Sequence, residues 1–152
     1  MAQEFDVERW WKQTRNLLIV MMLNPVILVV IALILRSSVP ALRQGGLAPD
    51  GPMIVLYVAC GLVALLALLS VLRRKRSIAY FLSKPLELEQ VLVLYRSLMI
   101  RNMVLSHGVA IGGFVFFLLF GNLSVFLGGV VLSLVFSFFH FPRKNDLGME
   151  IL

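Results

Sequence analysis

The stretch RNMVLSHGVAIGGFVFFLLFGNLSVFLGGVVLSLVFSFFHFPRK, Arg101 to Lys144, holds two apolar runs bounded by basic residues and separated by Gly121 and Asn122. From Asn102 to Pro142 it contains no Asp, Glu, Lys or Arg. A helix rises 1.5 Å per residue, so about 20 apolar residues cross a hydrocarbon core of about 30 Å. Asn102 to Phe120 and Leu123 to Phe141 each meet that length, and the two residues between them leave room only for a reversal. This predicts two antiparallel spans in a tight hairpin.

Working outward, Pro52 to Leu72 and Asn16 to Leu35 are apolar runs of the same kind. The chain of 152 residues is 60% hydrophobic and 14% charged, against about 45–50% apolar and 25% charged in soluble domains. The prediction is an all-α membrane protein, a single domain over 1–152 with four transmembrane helices at about 16–35, 52–72, 102–120 and 123–141. The first run is too long for a cleaved secretory signal, and its leading segment is not a short basic one, so it is taken as a retained span. RSSVPALRQGGLAPDGP, between the first two spans, is predicted as an irregular outer loop.

Charge sets the orientation. Arg9, Lys12, Arg15, Arg73, Arg74, Lys75, Arg76, Lys84, Arg96, Arg101, Arg143 and Lys144 fall on one side, and only Arg36 and Arg43 on the other. The positive-inside bias therefore predicts both termini in the cytoplasm. It also accounts for the net charge of +6 as a topology signal, so nucleic acid is not expected as a partner. Trp10 and Trp11 are predicted at the headgroup layer.

The cytoplasmic connection 73–101 is basic and then amphipathic. Arg73, Arg74, Lys75 and Arg76 are expected to attract anionic lipid headgroups, at about 1 kcal/mol each. In SKPLELEQ, Ser83 offers an N-cap oxygen to a helix that continues into the third span or lies along the surface before it. This segment is a candidate docking surface.

Helices in lipid associate through close packing of small residues. Gly108 and Gly112, with Gly113 beside them, and Gly129, Ser133 and Ser137 form two such stripes. They either zip the hairpin internally or pack it against another subunit. In the first span, Asn24 and Pro25 predict a bend and a polar group that bridges helices or faces a cavity.

Two histidines remain, His107 within the third span and His140 at the end of the fourth. Folding the hairpin brings them within about one turn in depth. As cofactor-binding residues they would ligate a haem, or they would relay protons; the default is that they are membrane-edge polar groups and that no cofactor is bound. No third metal ligand lies in a span, and the lone Cys60 supplies no disulfide, so no metal site is expected. There is no nucleophile with an adjacent base, no phosphate-cradling glycine loop and no paired carboxylate. The chain is not expected to be an enzyme.

The segment from RNMVLSHGVAIGGFVFFLLFGN to FPRKND, with Gly108, Gly112 and Gly113, resembles the hairpins of small four-span bacterial inner-membrane proteins distantly similar to the proteolipid subunit c of rotary ATPases. The resemblance implies a glycine-rich hairpin that packs into an oligomer in the bacterial inner (cytoplasmic) membrane. Where that family carries an ion-binding carboxylate this chain has Ser106 and His107, which argues against rotary ion transport. The expected function is a non-catalytic membrane subunit that packs with itself or with other subunits. The alternatives are a cofactor-binding or proton-handling subunit using His107 and His140, and a small transporter built on the bend at Asn24.

Overall fold

The computed structural model describes residues 6–43 and 52–147. Among them the regular structure is helical: α1 Val7–Ser38, α2 Pro40–Arg43, α3 Pro52–Leu82, α4 Leu88–Phe120 and α5 Leu123–His140, then a 3-10 turn at Lys144–Leu147. Four helices are long and apolar enough to cross a membrane: α1, α4, α5, and α3 from Tyr57 onward. Their outer faces are greasy, with Val20, Leu62, Ile111 and Val131 each more than half exposed. In water such a belt would drive aggregation, whereas in lipid it is the solvated surface. The chain is an integral membrane protein.

Pairwise contacts give the helix directions. Trp11 stacks on Tyr95 at 6.2 Å, and thirteen residues further along α1 Asn24 shares a cleft with His107, twelve residues beyond Tyr95 on α4. That nearly constant offset makes α1 and α4 parallel. Gly108 meets Val63 while Gly112 meets Cys60, so α3 runs against α4; Gly113 meets Phe126 while Gly129 meets Val109, so α5 also runs against it. α4 and α5 pack along each other, and α1 and α3 each pack on that pair. α4 is therefore the central helix.

Local chemistry sets the helix ends. Asp6 accepts the amide of Arg9 at 2.9 Å and caps α1. Gly121 closes α4 in the left-handed region at φ 67°, and Asn122 caps α5 by accepting the amide of Val125 at 3.2 Å. A β-carbon at residue 121 would be strained, which is why glycine stands there.

Two departures from the sequence reading concern the basic end, and a packed cluster there was not foreseen. α3 runs on to Leu82, past the predicted end of the second span at Leu72, whereas α4 begins at Leu88 and continues into the third span, one of the two courses expected of it. Ser83 does not cap α4: its hydroxyl donates back to the Tyr80 carbonyl at 2.9 Å, and Glu87 holds the N-cap position without a side-chain bond. The carbonyls left open at the end of α3 compete for the serine and are nearer. Trp10 and Trp11 are buried at 7% and 9% exposure, within a cluster that includes Leu18, Ile78, Leu92, Tyr95 and Met99.

Helix lengths explain that cluster. The 18 residues of α5 span about 27 Å, whereas the 33 of α4 span about 50 Å. α4 and α5 share the Gly121 end, so α4 outruns its neighbour by about 20 Å at the other. The surplus, with the end of α3 and the start of α1, forms a packed helical extension. Burial there contributes about 1.5–3 kcal/mol for each large apolar side chain removed from water. In the loop predicted to lie outside, Pro40–Arg43 forms a short helix; the remainder of it, 44–51, lies outside the described residues.

Candidate functional site

Two of the polar places among the described residues hold the histidines. The first lies where α3, α4 and the end of α5 meet. Arg74 is 8% exposed, and its guanidinium donates to the Phe139 carbonyl, to the Phe141 carbonyl at 3.1 Å, and to the Asp146 carboxylate. Tyr95 donates its hydroxyl to the same carboxylate at 2.8 Å and accepts the Arg143 amide at 3.2 Å. Carbonyls at a helix C-terminus lack intrahelical donors and carry partial negative charge, so a buried arginine satisfies both needs. The cluster ties the chain that follows α5 onto α3 and α4. It therefore removes Arg74 from the predicted headgroup set; Arg73, Lys75 and Arg76 remain exposed.

His140 sits on the same seam. Its Nε2 lies 3.0 Å from the Ser70 hydroxyl, which also donates to the Ala67 carbonyl at 2.7 Å. With the one hydroxyl proton given to Ala67, Nε2 is the donor and the buried Nδ1 is left without a partner among the described residues.

The second place is a cleft of about 400 Å³ between α1 and α4, lined in part by Asn24, Pro25, Leu28, Val104, His107 and Ile111. His107 is 7% exposed, and its Nε2 has no partner among the described residues. Pro25 is buried within a continuous α1, while Asn24 beside it is exposed. An amide and an imidazole thus share one apolar groove. The two histidines face different helices, His107 toward α1 and His140 toward Ser70 of α3. Axial ligation of one haem needs both imidazoles on one iron, and this arrangement does not present them so. Among the described residues no three His, Cys, Asp or Glu side chains gather as a metal-binding set.

The small residues divide between two seams. A β-carbon at Gly113 would come 3.2 Å from Phe126 Cα, and one at Gly129 would come 2.9 Å from the Val109 carbonyl oxygen, so these two glycines set the approach of α4 to α5. Gly108 and Gly112 face α3 instead, 3.1 Å from Val63 Cγ1 and 3.0 Å from Cys60 Sγ by the same measure. Ser133 and Ser137 are fully buried, with hydroxyls unpartnered among the described residues.

Sequence reasoning missed Asp146, Tyr95 and Asn102. Asp146 is the single acid in the tail between Phe141 and Leu147, and an acid opposite a basic cluster is the signal that could have found it. Asn102 stood only as the first residue of a span, yet it is 2% exposed with an unpartnered Nδ2. Comparison with known proteins finds no matching family model, no similar curated protein and no matching solved structure.

Proposed function

We propose that this protein is a non-catalytic subunit of a larger or homo-oligomeric assembly in the bacterial inner membrane, with both termini cytoplasmic and α4 and α5 forming a membrane hairpin. The observation that carries this reading is the cleft between α1 and α4. Asn24 is exposed there, about 20 Å along α1 from Trp11, in a groove that His107 also lines. An amide facing hydrocarbon without a partner is costly, and polar side chains in spans are resolved by bonding across to another helix. A partner helix presenting a hydrogen-bonding side chain fills the groove and satisfies the Asn24 amide. The glycine seams support the same placement, because Gly108, Gly112, Gly113 and Gly129 already pack inside the chain. The partner therefore docks on the α1 side rather than on the glycine stripe of the hairpin.

The test is native mass spectrometry of the gently solubilised protein, with a photo-crosslinking amino acid at Ile27 on the wall of the cleft. A defined oligomer or a stoichiometric second subunit is expected, crosslinked through residue 27. Asn24→Leu is expected to weaken the complex by about 1 kcal/mol, several-fold in dissociation constant, with folding intact. A wild-type monomer that gives no crosslink in native membranes would defeat the proposal.

A further inference from the structure

The basic end carries a second groove, between α3 and α4, that neither the arginine cluster nor the α1 cleft uses. Its inner part, about 360 Å³, is walled by Leu66, Leu69, Leu98 and Leu105 and includes Asn102. Its outer part, about 590 Å³, carries Arg76, Tyr80 and Phe81. Arg73, Ser77 and Arg101 line both parts, so the two are continuous.

Hydrogen-bond capacity identifies what fits. Arg73, Arg76 and Arg101 are exposed, and among the described residues none pairs with a carboxylate, whereas Asp146 is held by Arg74 and Tyr95. Asn102 lies deeper, 2% exposed, with Nδ2 unpartnered among the described residues. The Ser77 hydroxyl donates back to the Arg73 carbonyl at 3.2 Å. Three guanidiniums and one buried amide form a set of donors that calls for an anion with several acceptor oxygens. The leucine wall continuing past Asn102 calls for an apolar chain attached to it.

We propose that this groove is a binding site for one anionic glycerophospholipid. Its phosphate sits among Arg73, Arg76 and Arg101, its ester oxygen accepts from Asn102 Nδ2, and one acyl chain lies along Leu66, Leu69 and Leu105. A free phosphate would leave the leucine wall and Asn102 unused. A zwitterionic headgroup would bring an ammonium into a site that already has three unpaired cations. The site is narrower than the basic cluster apparent in the sequence: it excludes Arg74 and Lys75 and adds Arg101 and Asn102. It does not depend on the assembly reading, because α1 and its cleft take no part.

The test uses the full chain in a mild detergent, titrated with dioleoyl phosphatidylglycerol or dioleoyl phosphatidylcholine and read by native mass spectrometry. The expected result is retention of one phosphatidylglycerol at concentrations where phosphatidylcholine is not retained. Arg73→Gln with Arg101→Gln should lower that affinity at least about tenfold, each arginine contributing about 1 kcal/mol. Asn102→Leu should also lower it, and Lys75→Gln should leave it unchanged. Size-exclusion elution of each variant, and Arg76→Gln as a milder single change, keep a folding defect separate from lost binding. Equal loss in Lys75→Gln would mean diffuse surface attraction and overturn the site. So would equal retention of both lipids, or displacement of the lipid by inorganic phosphate at a similar concentration.

Discussion

Arg74→Leu is expected to destabilise the fold by about 3 kcal/mol, while Lys75→Leu, one residue further along the same helix, changes stability by less than about 0.5 kcal/mol. The difference follows from what each side chain touches. Arg74 is buried and holds two carbonyls at the end of α5 together with the Asp146 carboxylate. Leucine would leave those acceptors without their donor, the asymmetry that makes removal of one partner of a buried pair costly. Lys75 is exposed. Asp146→Asn should cost less than Arg74→Leu, because the arginine keeps its two carbonyl bonds. The double variant should cost less than the sum of the two, since the arginine and the carboxylate act through one contact. The measurement is unfolding in detergent monitored by the burial of Trp10 and Trp11. Equal effects of Arg74→Leu and Lys75→Leu would mean that the cluster does not hold the end of α5.

The helices were legible because lipid imposes a simple rule: every backbone amide must be satisfied within its own helix, so spans appear as uninterrupted apolar runs. Leu123 to Phe141 differs from α5 by one residue, and Gly121 with Asn122 marks the boundary where they were placed. Helix length beyond the membrane was less legible. Arg73 to Arg76 is polar in sequence, yet nothing in RRKR ends a helix, and α3 continues through it. The partners of polar groups were legible least. That Arg74 turns inward while Arg73 and Lys75 face out is set by a rotation of about 100° per residue against neighbours that come from distant parts of the chain. The same holds for the histidines: depth along the hairpin is a matter of counting, but which helix each imidazole faces depends on the packing of α1 and α3. Local pattern fixes where a residue lies along the membrane normal, and tertiary packing fixes what it meets.

Gly129→Leu is expected to force α4 and α5 apart, at a cost of about 3 kcal/mol or more, because the atom in the way belongs to the backbone. A β-carbon at residue 129 lies 2.9 Å from the Val109 carbonyl oxygen and 3.6 Å from Gly113 Cα, and neither can rotate aside. The neighbouring glycine supplies the control. A β-carbon at Gly128 meets nothing within 4 Å, so Gly128→Ala should be neutral, or stabilising by up to about 1 kcal/mol through helix propensity. Gly108→Ala and Gly112→Ala should fall between these extremes, since Val63 Cγ1 and Cys60 Sγ are side-chain atoms with some freedom to move. Unfolding titrations of the four variants, alongside the oligomer mass of each, separate two uses of small residues. If the glycines serve the internal seams, Gly129→Leu loses stability first and the assembly only as a consequence, whereas Asn24→Leu weakens the assembly with stability intact. If Gly129→Leu instead remains folded and comes apart only from its partners, the glycine stripe is the subunit interface and the α1 cleft is not.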